Sequence, residues 1–258
     1  MVLEYILAAT VLVSLVSLVG TLAFSLNPRR LNFLLFASVS FATGALLGAA
    51  FFDVLPEAFA KLDTRIAFQT VFLAILVFFI FEKFFWHHHH STHRPDGHDH
   101  PSSGSEKPLG YLTLAGSLAH NFFDGVAIGA SFLVSIPLGI STTVAIALHE
   151  IPHELGDYGL LLYSGFSKMR ATLLNLLTGL TSVLGGVSAF YFASNVNQFE
   201  AYALAFTGGT FIYVAAADLV PELHKEHKIS RSLLQLLFLA LGAGMLWLLS
   251  GLLEHGGA

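Results

Sequence analysis

The sequence predicts an all-α integral membrane protein with eight transmembrane helices. Hydrophobic residues make up 55% of the 258-residue chain and charged residues only 11%, whereas a typical soluble domain has about 25% charged residues. Apolar runs of about 20 residues, long enough to cross a hydrocarbon layer of ~30 Å, occur eight times. We number them spans 1 to 8, with approximate limits 2–26, 31–59, 66–86, 109–135, 138–164, 170–194, 199–222 and 232–253.

Span 1 is predicted to remain in the membrane and not to be a cleaved signal peptide. It lacks a basic N-terminal region, and residues 27–30 after it read NPRR where a signal peptide would have a small-residue cleavage site. The chain has no cysteine, so disulfides and thiolate metal sites are excluded. A basic face for nucleic acid is also absent.

Lysine and arginine predict the orientation of the spans. If both termini lie outside, ten of the twelve basic residues fall in inner loops, and only Lys61 and Arg65 fall in outer ones. Cytoplasmic loops carry an excess of Lys and Arg. We therefore expect both termini on the outer side.

An internal repeat relates spans 2 and 7. Residues 41–57, FATGALLGAAFFDVLPE, align without gaps with residues 206–222, FTGGTFIYVAAADLVPE, so that Asp53 corresponds to Asp218. The two spans run in opposite directions, which predicts an inverted repeat of spans 1–3 and 6–8 around the pair 4 and 5. Inverted repeats with a midplane site are typical of transporters.

Residues 87–108 are predicted to form a disordered loop on the inner side, between a first part (1–86, spans 1–3) and a second part (109–258, spans 4–8) of one membrane domain. Neutral imidazoles in a flexible segment bind transition metals adaptably, so we expect metal capture or sensing, with a polar linker as the alternative. The loop histidines are His87, His88, His89, His90, His93, His98 and His100.

Spans 4 and 5 carry polar clusters near their centres, HNFFD at 120–124 and HEIPHE at 149–154. An ionisable group at the bilayer midplane costs roughly 2.5–3.5 kcal/mol on insertion scales, so it persists only where something compensates it. Residues four apart share one face of a helix, and three imidazoles with one carboxylate suit tetrahedral zinc. The predicted primary ligands are His120, Asp124, His149 and His153. Asn121, Glu150 and Glu154 are predicted to hold a second ion or to accept hydrogen bonds from the primary ligands.

A polar network that only joins the two helices is the simpler alternative for these clusters.

Further acidic residues predict a path for a cation. Asp157 lies one turn nearer the inner side, Asp53 and Glu57 lie near the outer end of span 2, and Asp218 and Glu222 hold the mirrored inner position. Each could instead snorkel or cap a helix end.

Through these motifs the chain resembles the ZIP (Zrt/Irt-like) family of divalent metal transporters, in the subfamily with the HEXPHE signature. The resemblance implies uptake toward the cytosol by movement of spans 1, 4, 5 and 6 against spans 2, 3, 7 and 8, often in a homodimer. It assigns the primary ligands above to a first metal site, and Asn121 and Glu150 to a second. Some members supply a Glu from span 6, where this chain offers only Asn175, Thr178, Thr181, Ser182 and Ser188.

The competing interpretation is an intramembrane zinc protease, in which Glu150 would activate a water on a metal held by His149 and His153. A third interpretation is a metal-sensing or scaffold membrane protein. We favour a transporter without enzymatic activity or resident cofactor, in a prokaryotic plasma membrane or an organellar membrane. Its substrate would be zinc or another divalent metal ion, and a P-loop for nucleotide is absent.

Zinc affinity should rise between about pH 5.5 and pH 7.5, because a protonated imidazole cannot bind a metal and the reference pKa of histidine is ~6.5. Zinc titrations of the purified protein at a series of pH values would measure this rise. A flat profile would mean that carboxylates alone bind the metal.

Overall fold

The computed structural model describes residues 1–90, 107–193 and 195–255, and every regular element in those ranges is helical. The elements are α1 Val2–Val16, α2 Val19–Ala23, α3 Pro28–Gly48, a π-helix Ala49–Val54, α4 Leu55–Lys61, α5 Thr64–His90, α6 Lys107–Val134, α7 Ile136–Tyr163, α8 Lys168–Gly179, α9 Thr181–Ala193, α10 Phe199–Val214, a second π-helix Ala215–Leu219, α11 Val220–Leu223 and α12 Ile229–His255.

Among the described residues, seven helical segments are long and apolar enough to cross a membrane. They cover Val2–Ala23, Pro28–Lys61, Thr64–Lys83, Leu109–Val134, Lys168–Ala193, Phe199–Leu223 and Ile229–Leu253. The remaining predicted span, span 5, corresponds to α7, whose 28 residues extend over roughly 42 Å at 1.5 Å per residue. The polar residues between positions 149 and 157 lower the hydropathy of α7, so it is not among the seven.

The predicted loop at 87–108 is shorter at both ends, because α5 continues to His90 and α6 begins at Lys107. His93, His98 and His100 lie outside the described residues.

Elsewhere helix starts follow local capping. The Asn27 side chain accepts a hydrogen bond from the Arg30 backbone N–H at 3.0 Å, which starts α3 earlier than the apolar run alone predicts.

The two copies of the repeat share an unusual local structure. A π-helix over Ala49–Val54 contains Asp53, and a π-helix over Ala215–Leu219 contains Asp218. Pro56 follows the first within two residues, as Pro221 follows the second. A proline removes one i→i−4 hydrogen bond, and π-turns within α-helices occur frequently at functional sites. The sequence similarity of the two copies therefore extends to their backbone geometry.

Glycines allow close approach where helices cross. A Cβ atom at Gly125 of α6 would lie 1.8 Å from the Ser182 carbonyl oxygen of α9, and one at Gly185 of α9 would lie 2.0 Å from the Phe122 carbonyl oxygen. α3 and α12 cross in the same way at Gly44 and Gly242. Small residues at such crossings are typical of membrane helix pairs. The α6–α9 crossing holds in place one of the two helices that carry the polar clusters.

Gly125→Ala should lower the stability of the folded protein by about 1–3 kcal/mol or more, because the new methyl group overlaps backbone that cannot rotate away. Gly116→Ala on the same helix is the matched control, since a Cβ there has no neighbour within 4 Å. Thermal unfolding in detergent would measure both. Equal stabilities for the two variants would contradict the described α6–α9 crossing.

Candidate metal centre

α6 and α7 pack side by side and bring their polar clusters together. His120 and Asp124 of α6 and His149 and Glu150 of α7 each offer one ligand atom, and these four atoms lie within 4.8 Å of one another. Within residues 1–90, 107–193 and 195–255, this is the one group of three or more such side chains close enough to share an ion.

The separations within this group, the α6–α7 centre, are short. His120 Nε2 lies 3.2 Å from both His149 Nε2 and Glu150 Oε1. His149 Nε2 lies 3.3 Å from Asp124 Oδ2 and 3.5 Å from Glu150 Oε1. Atoms from both helices therefore point toward one common volume, as an ion with several ligands requires.

Three of the four residues of the centre are buried, and His120 is partly exposed. His149 is 2% exposed, Glu150 1% and Asp124 7%. Asp124 Oδ2 and Glu150 Oε1 accept no hydrogen bond of good geometry from the described residues. A buried carboxylate oxygen without such a partner is costly, and a bound cation would remove that cost.

His153 lies outside the group, although its i, i+4 spacing from His149 placed it among the predicted primary ligands. Its ring stacks on that of His120, with centroids 4.4 Å apart, and its Nδ1 lies 3.7 Å from Asp157 Oδ2. α6 and α7 run in opposite directions, so the turn that follows His120 and the turn that follows His149 lie toward opposite ends of the helix pair. Asp124 and His153 therefore lie on opposite sides of the level at which the two helices meet, and Glu150 supplies the fourth converging atom.

Behind the centre lies a second polar layer. The Asn121 amide donates to the Ser117 carbonyl at 3.1 Å, and the Glu154 carboxylate, 0% exposed, accepts a hydrogen bond from the Asn175 amide of α8. Asn175 is one of the five polar residues that span 6 offers in place of a glutamate, and the sequence alone predicted no partner for it. Its hydrogen bond to Glu154 links α8 to α7. The sequence feature that could have indicated this contact is an asparagine within an apolar span.

A cavity of about 1220 Å³ extends from His120 and His149 to the turn between α11 and α12. Three acidic residues predicted for the cation path, Asp157, Asp218 and Glu222, line it together with His153. Polar residues that were not predicted from the sequence also line it, among them Glu82 and Tyr213. The Tyr213 hydroxyl donates a hydrogen bond to the Glu82 carboxylate.

The other two residues predicted for the path are not on this cavity. Asp53 is 7% exposed and accepts a hydrogen bond from the Ser141 hydroxyl of α7. Glu57 pairs with Lys61 at 3.3 Å on the surface. The centre thus has an open route on one side and packed helices on the other.

Long apolar helices around a buried group of imidazoles and carboxylates define an integral multi-pass membrane protein with an intramembrane polar centre. Residues 2–108 and 86–250 match the family model of the ZIP zinc transporters, and the chain belongs to that family.

Similar curated proteins carry zinc transporter names. The chain is 37% identical over 228 residues to zinc transporter ZIP13 of Pongo abelii, covering 82% of this chain and 66% of that protein. It is 42% identical over 167 residues to zinc transporter SLC39A7 of Canis lupus familiaris, covering 62% and 36%. ZIP13 of Gallus gallus is 34% identical over 276 residues, covering 86% and 74%. The chain thus spans just under two thirds of the first relative and about a third of the second.

In a chain whose loop histidines are replaced by serine, His149→Ala should weaken zinc binding by at least about 100-fold, because this imidazole contacts all three other ligands. Glu150→Gln should weaken it by about 10–100-fold, and His153→Ala by less than about tenfold. Calorimetric titration measures the affinities, with the exposed His224→Ala as control. An equal loss of zinc affinity in His153→Ala and His149→Ala would instead support the primary ligands predicted from the sequence.

Proposed function

We propose that this protein transports a divalent transition-metal ion, zinc foremost, across the membrane toward the cytosol through the α6–α7 centre. The observation that carries the proposal is the convergence of four buried ligand atoms from two apolar helices. Membership of the ZIP family and the names of the relatives support it.

The donor set favours a transition metal. Two imidazole nitrogens and two carboxylate oxygens at one point suit zinc and its neighbours better than magnesium or calcium, which prefer oxygen alone. His120 and His149 supply the nitrogens, and Asp124 and Glu150 the oxygens. We propose a single ion at this point, because span 6 contributes the neutral Asn175, whose amide is bound to Glu154.

The direction of transport follows from the proposed topology. We take α7 as the eighth span and place both termini outside, with spans 1–3 and 6–8 as inverted repeats. The turn between α11 and α12, with Lys225 and Lys228, is then on the inner side. The cavity lined by His153, Asp157 and Asp218 would lead an ion from the centre to the cytosol.

The charge of this cavity suits a cation. Five carboxylates line it, against one lysine, Lys225; they are Glu82, Asp157, Asp218, Glu222 and Glu226. Carboxylates along a path attract a divalent ion, and partial exposure keeps each of them from holding it as tightly as the buried centre. Histidines 87–100 on the same inner side would then capture or sense metal.

A zinc protease is not supported. The relatives are named transporters, and His153, which an HEXXH enzyme would use as its second ligand, lies outside the group of four. Glu150 Oε1 is itself among the converging ligand atoms, so it is poorly placed to activate a water for hydrolysis.

We further propose that the protein acts as a homodimer in an organellar or plasma membrane. The relatives above come from vertebrates, so support for a prokaryotic membrane is weaker than for a eukaryotic one. Cross-linking in intact membranes would test the oligomeric state.

Purified protein in liposomes should take up zinc down its gradient, and His149→Ala and Asp124→Ala should reduce the initial rate at least about tenfold, because each removes a ligand of the transported ion. A zinc-sensitive dye inside the vesicles measures the rate, and His224→Ala is the control. Competition by manganese, iron(II), cobalt, nickel and cadmium ranks the substrates.

Two results would exclude the proposal. One is wild-type uptake no faster than that of empty liposomes. The other is unchanged zinc flux in Glu150→Gln, combined with cleavage of a peptide by the wild type that the variant has lost.

A further inference from the structure

The two π-helices carry equivalent aspartates in opposite environments. Asp53 is buried and accepts a hydrogen bond from Ser141 of α7. Asp218 is exposed and lines the cavity, in the electrostatic field of Glu82. Equivalent residues of an inverted repeat are expected to exchange environments when the protein changes the side on which its site is open.

The Asp53–Ser141 bond lies between the centre and the outer surface. Ser141, Ala145 and His149 follow one another at intervals of four along α7, so they share a face, and Ser141 is about 12 Å from the level of His149. Ala145 is 0% exposed, as is Ala50 of the first π-helix. The face that an incoming ion would follow is therefore packed shut beneath this bond.

The inner side offers a hydroxyl one residue from the corresponding place. When α6 and α7 are aligned on His120 and His149, Ser141 corresponds to Leu112, and the next residue, Thr142, corresponds to Thr113. Its hydroxyl now bonds to the Leu109 carbonyl of its own helix at 3.1 Å. Gly116, one turn further along α6, lines the same cavity as Asp218.

We propose that Asp53 and Ser141 form a latch that closes the outer entrance, and that Asp218 forms the matching inner latch with Thr113 when the centre faces outward. The proposal rests on the alternating access of the proposed function. Each π-helix places its aspartate against a helix of the metal-binding pair, α7 outside and α6 inside. Only one latch is closed at a time, and in this structure it is the outer one.

The closed latch should favour the inward-open state. A hydrogen bond to a charged group shifts a two-state ratio by about tenfold or more. Removal of the Ser141 hydroxyl should therefore raise the population of the outward-open state by about tenfold. Removal of the Thr113 hydroxyl should lower that population by a similar factor.

The absence of cysteine from the chain makes a direct test possible. Ala145→Cys introduces a single thiol between the latch and the centre, at a position that is buried here. In cells that carry the protein in the plasma membrane, a membrane-impermeant maleimide added outside, with a metal chelator present, can label this thiol only when the outer entrance opens. The labelling rate then reports the outward-open population.

In the Ala145→Cys background, Ser141→Ala and Asp53→Asn should each raise the labelling rate about tenfold, and Thr113→Ala should lower it about tenfold. Thr143→Ala is the matched control, because its hydroxyl bonds to the Gly139 carbonyl of the same helix. Two independent outer variants keep the test valid if one of them does not fold.

Equal rates for Ser141→Ala and Thr143→Ala would overturn the outer latch. A change in the same direction for Thr113→Ala and Ser141→Ala would overturn the inner one. The assay uses no metal, so its failure is distinct from failure of the proposed function. Zinc uptake by the wild type, together with equal labelling rates for the latch variants and the control, would overturn the latch alone. Changed labelling rates in the latch variants, together with no zinc uptake by the wild type, would overturn the transport proposal alone.

Discussion

The fold is organised around one electrostatic constraint, which is a group of imidazoles and carboxylates held largely buried between two helices. His149 and Glu150 are among the most deeply buried side chains of the chain. Such groups are expensive in an apolar environment unless a counter-charge lies in contact. The nitrogen and oxygen atoms of the centre lie 3.2–3.5 Å apart, so a cation bound among them would supply that counter-charge to both carboxylates.

Close helix packing maintains this arrangement. The crossing of α6 and α9 at Gly125 and Gly185 brings backbones together more closely than any side chain would allow, which fixes the position of His120. On the other side, the Asn175 amide holds Glu154 and also donates to the Ser17 carbonyl at 3.2 Å. Helices of the two repeats thus support the pair that lies between them.

The two aspartates of the sequence repeat show an asymmetry of the structure. Residues 41–57 and 206–222 have similar sequences, yet Asp53 is buried against Ser141 of α7 and Asp218 lines the cavity. One packed side and one open side are what the proposed transport by alternating access requires.

The sequence by itself determined the helical membrane class, most of the spans, the repeat and the residue types of the centre, because hydropathy, charge bias and i, i+4 spacing are local properties of the chain. It also predicted His120, Asp124, His149 and His153 as primary ligands. Only the tertiary structure shows that an oxygen of Glu150 converges with atoms of the first three while the His153 ring stacks on that of His120, that Asn175 donates a hydrogen bond to Glu154, and that Ser141 donates one to Asp53. These contacts depend on how separate helices cross and rotate relative to one another, and local spacing on a single helix carries no information about that.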